Sequence, residues 1–256
     1  MVAVTQTGGP DAPRLTVELG GGRIPSSVEA TVIGALTRLL GLELDLTDFY
    51  SRIGADPILA PLAQRYRGLK PPRFPTLFEC LLNAVACQQL SLAAGLSVLS
   101  RLSKAVAPAV GGPHPPPPDP RDVLEVPAAA LRALGFSHRK ARTILELARA
   151  AAGGELDLGR FEPLGDDEVV RALVRYPGIG RWSADYVLLR GLGRLHVFPQ
   201  ADIGALGGLR RFLADAGLTE DPVAALARWR EDAGLLYFHL LLRGLEQRGA
   251  LGGEAA

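Results

Sequence analysis

Residues 176–202 read YPGIGRWSADYVLLRGLGRLHVFPQAD. The apolar pattern of Leu173 to Tyr176 ends a helix. Pro177 cannot extend that helix comfortably, and Gly178 and Gly180 accept positive φ. Arg181 starts a second helix whose core stripe is Ala184, Val187, Leu188 and Gly191. The unit is helix, tight hairpin, helix. Glycine on both sides of Ile179 lets the backbone approach another chain closely. The free amides at the start of the second helix form an anion site, for which a nucleic-acid phosphate is the natural ligand. A plain helix–turn–helix packing element has the same signature, so the pattern alone leaves both readings open.

Trp182 and Tyr186 lie four residues apart on one helix face, and Arg190 continues that face. Such a pair is as readily core as cleft wall. The core stripe is already occupied, however, and an aromatic wall suits a flat or cationic base, with cation–π attraction of ~1–2 kcal/mol when desolvated. Asp202 follows the break at Pro199 and precedes a new helix, where an aspartate is ordinarily an N-cap. Only the combination with the hairpin and the aromatic face suggests chemistry for it.

Working outward, 256 residues can bury one or two cores, and 48% hydrophobic with 21% charged residues fits a globular chain. No apolar run has the length of a membrane span, and the N-terminus MVAVTQTGGP lacks a secretory pattern, so a cytoplasmic location and no membrane contact are expected. Two cysteines, Cys80 and Cys87, are too few for an iron–sulfur cluster, which takes about four, and read as two buried thiols. Four scattered histidines show no metal spacing. The net charge of +1 does not by itself indicate nucleic acid. Only Lys70, Lys104 and Lys140 among 28 basic residues are lysines, leaving few amines for nucleophilic chemistry.

The pattern along the chain is mainly helical. Residues 1–13 read as a disordered start and RLTVELGG (14–21) as the one strand. A helix follows from Ser26 to Leu40 with Ser26 or Ser27 as cap, then two short helices, a proline-rich connector at 69–76, and Thr76 capping the next helix. That helix lapses at CQQLS and resumes at Leu92. Residues 110–120 form a low-complexity loop. Two short helices follow, then one from a Ser137 cap to a Gly153 stop and another over DDEVVRALVRY. Beyond Asp202 come a helix and a long one over 222–247 with Asp221 as cap and Pro222 at its first position. The expected fold is mainly α: two helical lobes with a cleft between them, a helix-hairpin-helix motif and a short N-terminal β remnant. The expected parts are 1–25 (disordered start and short strand), 26–75 packing with 203–248, a central helical domain at 76–202, and a frayed tail at 249–256.

At this point the residues resemble a known family. LVRYPGIGRWSADYVLLRGLGRLHVFPQAD resembles the helix-hairpin-helix (HhH-GPD) DNA glycosylases, most closely the 3-methyladenine DNA glycosylase II (AlkA-type) branch. Gly180 to Asp202 is 22 residues, which fits the family spacing. ADPILAPLAQRYRGLKPPRFPTLFECLLNAVACQQLSLAAG and LRALGFSHRKARTILELARA extend the likeness to roughly 40–245. The resemblance implies that Asp202 is the catalytic carboxylate and that Trp182, Tyr186 and Tyr237 line the base pocket. It implies that Pro177, Gly178, Ile179, Gly180 and Arg181 grip the DNA strand. Gln88, Gln89 and Leu90 would supply the wedge that fills the hole left by a flipped nucleotide. Arg139, Lys140 and Arg175 are candidate phosphate contacts. The carbonyls of Val174, Tyr176 and Ile179 are candidates to hold a monovalent cation (Na+ or K+); no cofactor is otherwise required. The implied partner is double-stranded DNA carrying a damaged base, met by a monomer.

Members that also cut the strand carry a lysine two residues after the second hairpin glycine; here that residue is Trp182, whose indole cannot form a Schiff base. The expected reaction is therefore monofunctional excision of alkylated purines such as 3-methyladenine, leaving an abasic site. Three departures bear on the substrate. The N-terminal β region is short. Leu241 stands where the family pocket has a tryptophan, and the Trp-Arg-x-Tyr pattern is missing after Trp229. Glycines also follow Asp202 closely. Excision of deaminated bases such as uracil or hypoxanthine, and a non-catalytic DNA-binding module, are the competing readings.

Overall fold

The computed structural model describes residues 2–10, 12–20, 24–107 and 115–251. Strands β1 (Val2–Thr7) and β2 (Arg14–Leu19) precede helices α1 (Ser26–Leu39), α2 (Thr47–Gly54), α3 (Ala60–Arg65), α4 (Leu77–Cys87) and α5 (Leu92–Val106). Then come α6 (Pro120–Leu124), α7 (Ala128–Ala133), α8 (His138–Ala152), α9 (Leu158–Phe161), α10 (Asp166–Leu173) and α11 (Arg181–Tyr186). A π-helical turn (Val187–Gly191) continues α11, and α12 (Ile203–Asp215), α13 (Pro222–Ala225), a 3-10 turn (Leu226–Asp232) and α14 (Ala233–Glu246) complete the order.

Several helix starts are written in the sequence. Thr76, Ser91, Ser137 and Asp221 each accept a backbone amide of the first turn, as N-caps do. Gly153 ends α8. Two apolar cores result. One gathers Leu77, Leu81 and Val85 of α4 with Ile144 and Leu147 of α8 and with Val187 and Leu188. The other gathers Phe49, Ile53 and Leu59 with Leu209, Leu213 and Leu236. Burying each such side chain stabilises the fold by about 1.5–3 kcal/mol. Leu189 belongs to the second core, so the Arg181–Gly191 segment runs from one lobe into the other. The π turn falls at that junction, and π bulges commonly occur at functional sites.

The N-terminus departs from expectation. Residues 2–7 are a strand rather than disorder, paired antiparallel with β2 in the register Val2↔Leu19, Val4↔Val17 and Gln6↔Leu15. The Gly/Pro-rich stretch between them is a hairpin connection, with Gly8 at φ +79. The Val/Thr alternation of β1 carried the signal, and the turn composition masked it. Neither Ser26 nor Ser27 caps α1; Pro25 holds the cap position at φ −61, and its ring has no polar atom to bond the first amides. None of the fourteen residues of α1 is buried. The long C-terminal helix is broken as well: Trp229 sits at φ −115, ψ 29, where its Nε1 donates to Asp56 at 2.6 Å. The bidentate pair of Arg52 and Asp232 (3.0 and 2.7 Å) fixes the same kink. Cys80 is buried as expected, whereas Cys87 is only half-buried. Residues 110–114 of the expected loop at 110–120 and 252–256 of the expected tail at 249–256 lie outside the described residues.

Candidate active site

Helices α10 and α11 and the turn between them form the hairpin. Gly178 adopts φ +93, and a Cβ there would stand 2.1 Å from Thr143 Oγ1 on α8, so both backbone shape and close approach demand glycine. The Ile179 side chain is buried in the first core, which leaves only its backbone for the hairpin surface. Gly180 is the N-cap of α11 and has no side chain to satisfy the first amides. Pro177 is exposed beside it. On the same loop the Leu173 and Tyr176 carbonyls accept turn bonds from Tyr176 and Ile179, while among the described residues no backbone amide donates to those of Val174 or Ile179. Those two oxygens, with the second lone pair on Tyr176, are hard donors of the kind a monovalent cation takes.

Asp202 is the N-cap of α12: its Oδ1 accepts Ala205 N at 2.9 Å. Its other oxygen accepts Trp182 Nε1 at 3.1 Å. Cap and site are thus the same group, one oxygen for each. Trp182 and Tyr186 lie 5.5 Å apart between ring centroids, and the Tyr186 hydroxyl donates to Asn83 Oδ1 of α4 at 2.8 Å. Tyr237 of α14 completes the approach to Asp202. Its phenol pKa is pushed up, first by burial and then by the Asp202 carboxylate. Burial raises the Tyr186 pKa in the same way, so both phenols stay neutral donors at physiological pH. Arg190 continues the aromatic face, its guanidinium 5.3 Å from the Phe74 ring, 5.7 Å from Tyr186 and 5.2 Å from Phe238. The structure brings Trp182, Tyr186, Tyr237 and Asp202 together; Tyr186 is both wall and core, being 8% exposed.

The Gln88–Leu90 turn divides in two. Gln88 points inward, donating through Nε2 to Gly178 O (3.0 Å) and Ser183 Oγ (3.1 Å), so it is not a wedge tip. Gln89 and Leu90 are exposed, and Gln89 takes φ +56. Lys140 is not a free surface charge either. Its Nζ donates to Ala86 O (2.9 Å) and Gln88 O (2.7 Å), and burial lowers its pKa. Its stem reaches the end of α4, whose last carbonyls lack helical partners, and two of its three N–H donors cap that end. Arg181 pairs with buried Asp185 at 2.8 Å, and burial of that carboxyl raises its pKa. Arg139, on α8, and Arg175, in the turn after α10, are both exposed. Sequence reasoning missed Asn83 and Thr143, although each is a polar residue set inside an apolar helical stripe. It also missed Phe74 and Phe238, which carry no such signal.

An alpha-helical fold of two cores joined by this hairpin, with one carboxylate beside an aromatic wall, defines a class. Residues 82–230 match the model of the HhH-GPD superfamily base excision DNA repair proteins, and the chain belongs to that superfamily. It is 30% identical over 172 residues to the DNA-3-methyladenine glycosylase of Bacillus subtilis, covering 66% of this chain and 57% of that one. It is 26% identical over 195 residues to DNA-3-methyladenine glycosylase 2 of Escherichia coli (75% and 66%). The solved 3-methyladenine DNA glycosylase of Archaeoglobus fulgidus superposes with a TM-score of 0.79 at 25% identity, over 98% of this chain and 84% of that one. The chain spans about half to two thirds of the length of the first curated relatives it matches.

Proposed function

We propose that this protein is a monofunctional DNA glycosylase that flips an alkylated purine out of duplex DNA and hydrolyses its glycosidic bond, leaving an abasic site. The observation that carries this reading is the Asp202 carboxylate, held by the Trp182 indole at the edge of a neutral aromatic wall. The target base lies inside the stack, so it must be extruded at a cost of a few kcal/mol. The hairpin amides at 178–181 take the phosphate, and the exposed Gln89 and Leu90 fill the vacated space. A monovalent cation on the Val174, Tyr176 and Ile179 carbonyls would add positive charge beside that phosphate.

The base of an alkylated purine nucleotide is cationic and already a good leaving group. The C1′–N bond breaks and its electron pair stays with the departing base. Positive charge grows on the deoxyribose, where the Asp202 carboxylate stabilises it. A water oxygen then bonds to C1′, and Asp202 takes the proton that this water loses. Lyase chemistry would need an amine at the sugar. Lys70 donates to the Leu42 and Leu44 carbonyls, Lys140 is likewise held by two carbonyls, and Trp182 occupies the position of the strand-cutting members' lysine. The similarity to 3-methyladenine glycosylases over 66% and 75% of this chain supports an alkylated purine as substrate.

Incubation with globally methylated duplex DNA and chromatographic identification of released bases tests the reading. Release of 3-methyladenine or 7-methylguanine, with the strand left uncut and no adduct trapped by borohydride, is the expected result. Absence of any released base would refute it, and a trapped adduct would refute its monofunctional part.

A further inference from the structure

Helix α8 touches both loops that face the DNA in the reading above. Lys140 Nζ donates to the carbonyls of Ala86 and Gln88 in the turn after α4. Three residues later, and so on the same helix face, Thr143 Oγ1 donates to Pro177 O of the hairpin at 2.8 Å. The Thr143 side chain also fills the space a Cβ on Gly178 would need. The two loops are in turn bonded to each other, since Gln88 Nε2 donates to Gly178 O. Hairpin, turn and α8 therefore form one closed hydrogen-bonded frame.

The frame bears on Gln89. A non-glycine residue at φ +56 is strained by roughly 1–2 kcal/mol and persists only where its surroundings impose it. The carbonyl immediately before it is the one that Lys140 holds at 2.7 Å. A free turn would relax and would have to be ordered again at each encounter with DNA, which costs conformational entropy. A held turn has met that cost during folding.

We propose that Lys140 is a positioning residue: by holding the Gln88 and Ala86 carbonyls, it fixes the Gln89–Leu90 tip relative to the phosphate-gripping hairpin, so that strand capture and wedge insertion occur as one rigid step. This rests on the glycosylase reading of both loops. Lys140 then acts on the DNA through the turn and contacts no phosphate itself.

The test uses the full chain and a duplex with one tetrahydrofuran abasic analogue opposite 2-aminopurine, beside an undamaged duplex of the same sequence. Lys140→Met should lower the ratio of tetrahydrofuran to undamaged affinity about tenfold and diminish the 2-aminopurine fluorescence rise at saturation. The salt dependence of binding should not change, and Lys140→Arg should recover most of the ratio. Thr143→Val keeps the side chain's shape, should repeat the selective loss, and decides the matter if Lys140→Met does not fold. An unchanged ratio in these variants overturns the proposal, as does a wild type with no tetrahydrofuran preference. Equal loss on both duplexes with a salt slope smaller by about one would make Lys140 a phosphate contact and also overturn it. If the ratio falls as expected while wild type releases no base from methylated DNA, the proposed reaction fails and the brace stands.

Discussion

Replacing Asp202 by asparagine separates its two roles. As an N-cap, asparagine equals aspartate, so α12 should keep its start. The single amide oxygen cannot serve both Ala205 N and Trp182 Nε1, which now use one carboxylate oxygen each. One bond to a charged acceptor is lost, worth about 1.5–3 kcal/mol, and the melting midpoint should fall by roughly 3–10 °C for a chain of this size. The chemical loss is larger. A carboxylate about 4 Å from a developing unit charge contributes about 4 kcal/mol at an effective permittivity near 20. That converts to roughly a thousandfold in rate. Single-turnover release of 7-methylguanine from duplex DNA, with the variant in excess and binding followed by fluorescence anisotropy, measures both quantities. Expected are a rate down by about a thousandfold and an affinity nearly unchanged. A variant that melts lower but excises within tenfold of wild type would show that Asp202 is only a cap.

Two further expectations concern the pocket wall and its support. Asn83→Ala removes the acceptor of the Tyr186 hydroxyl and should cost about 1–3 kcal/mol; the double variant with Tyr186→Phe, read by thermal melting, should recover most of that loss. His239 is fully buried, donates through Nδ1 to Leu235 O at 2.7 Å, and has its pKa lowered below 6.5, chiefly by burial. The sign follows: above pH 6.5 both folded and unfolded states hold it neutral, and as pH falls below that value the unfolded chain takes the proton first. Stability from this group is therefore full above pH 6.5 and is lost as pH falls toward and through the folded-state pKa. His239→Leu should flatten the melting-midpoint profile between about pH 7 and pH 5; an unaltered slope would refute this.

The sequence carried the hairpin, the caps and the helix order because each depends on local rules. Pro177 and Gly178 state their backbone needs directly, and Thr76 and Ser137 declare helix starts; Gly180, expected at positive φ, instead sits at φ −109 with open space where a Cβ would be. Trp182, Tyr186 and Arg190 were legible as one face because their spacing is helical. What failed depended on distant partners. The break at Trp229 follows from bonds to Asp56 and from the Arg52–Asp232 pair, both across more than 170 residues. Lys140 reads as a surface cation until α4 ends beside it. Gln88 reads as a wedge until its amide is seen to reach Gly178. β1 was obscured by the composition of the connection that follows it.

The glycines after Asp202, which as sequence look like a flaw in α12, have a physical use at this site. A Cβ at position 204 would lie 3.2 Å from Asp202 Oδ1, tighter than ordinary contact. Glycine there costs the first turn of α12 about 0.5–1 kcal/mol in helix propensity. In return, no side chain crowds the carboxylate from the helix side, and the cap bond to Ala205 can hold Oδ1 while Oδ2 faces the indole. The same economy explains why a single aspartate suffices. The helix amide that orients it is supplied by its own chain three residues on, and the indole that completes the orientation comes from the helix that follows the hairpin. Any movement of the hairpin relative to α12 therefore moves Trp182 against Asp202, so under the proposed function the grip on the strand and the aim of the carboxylate would share one lever.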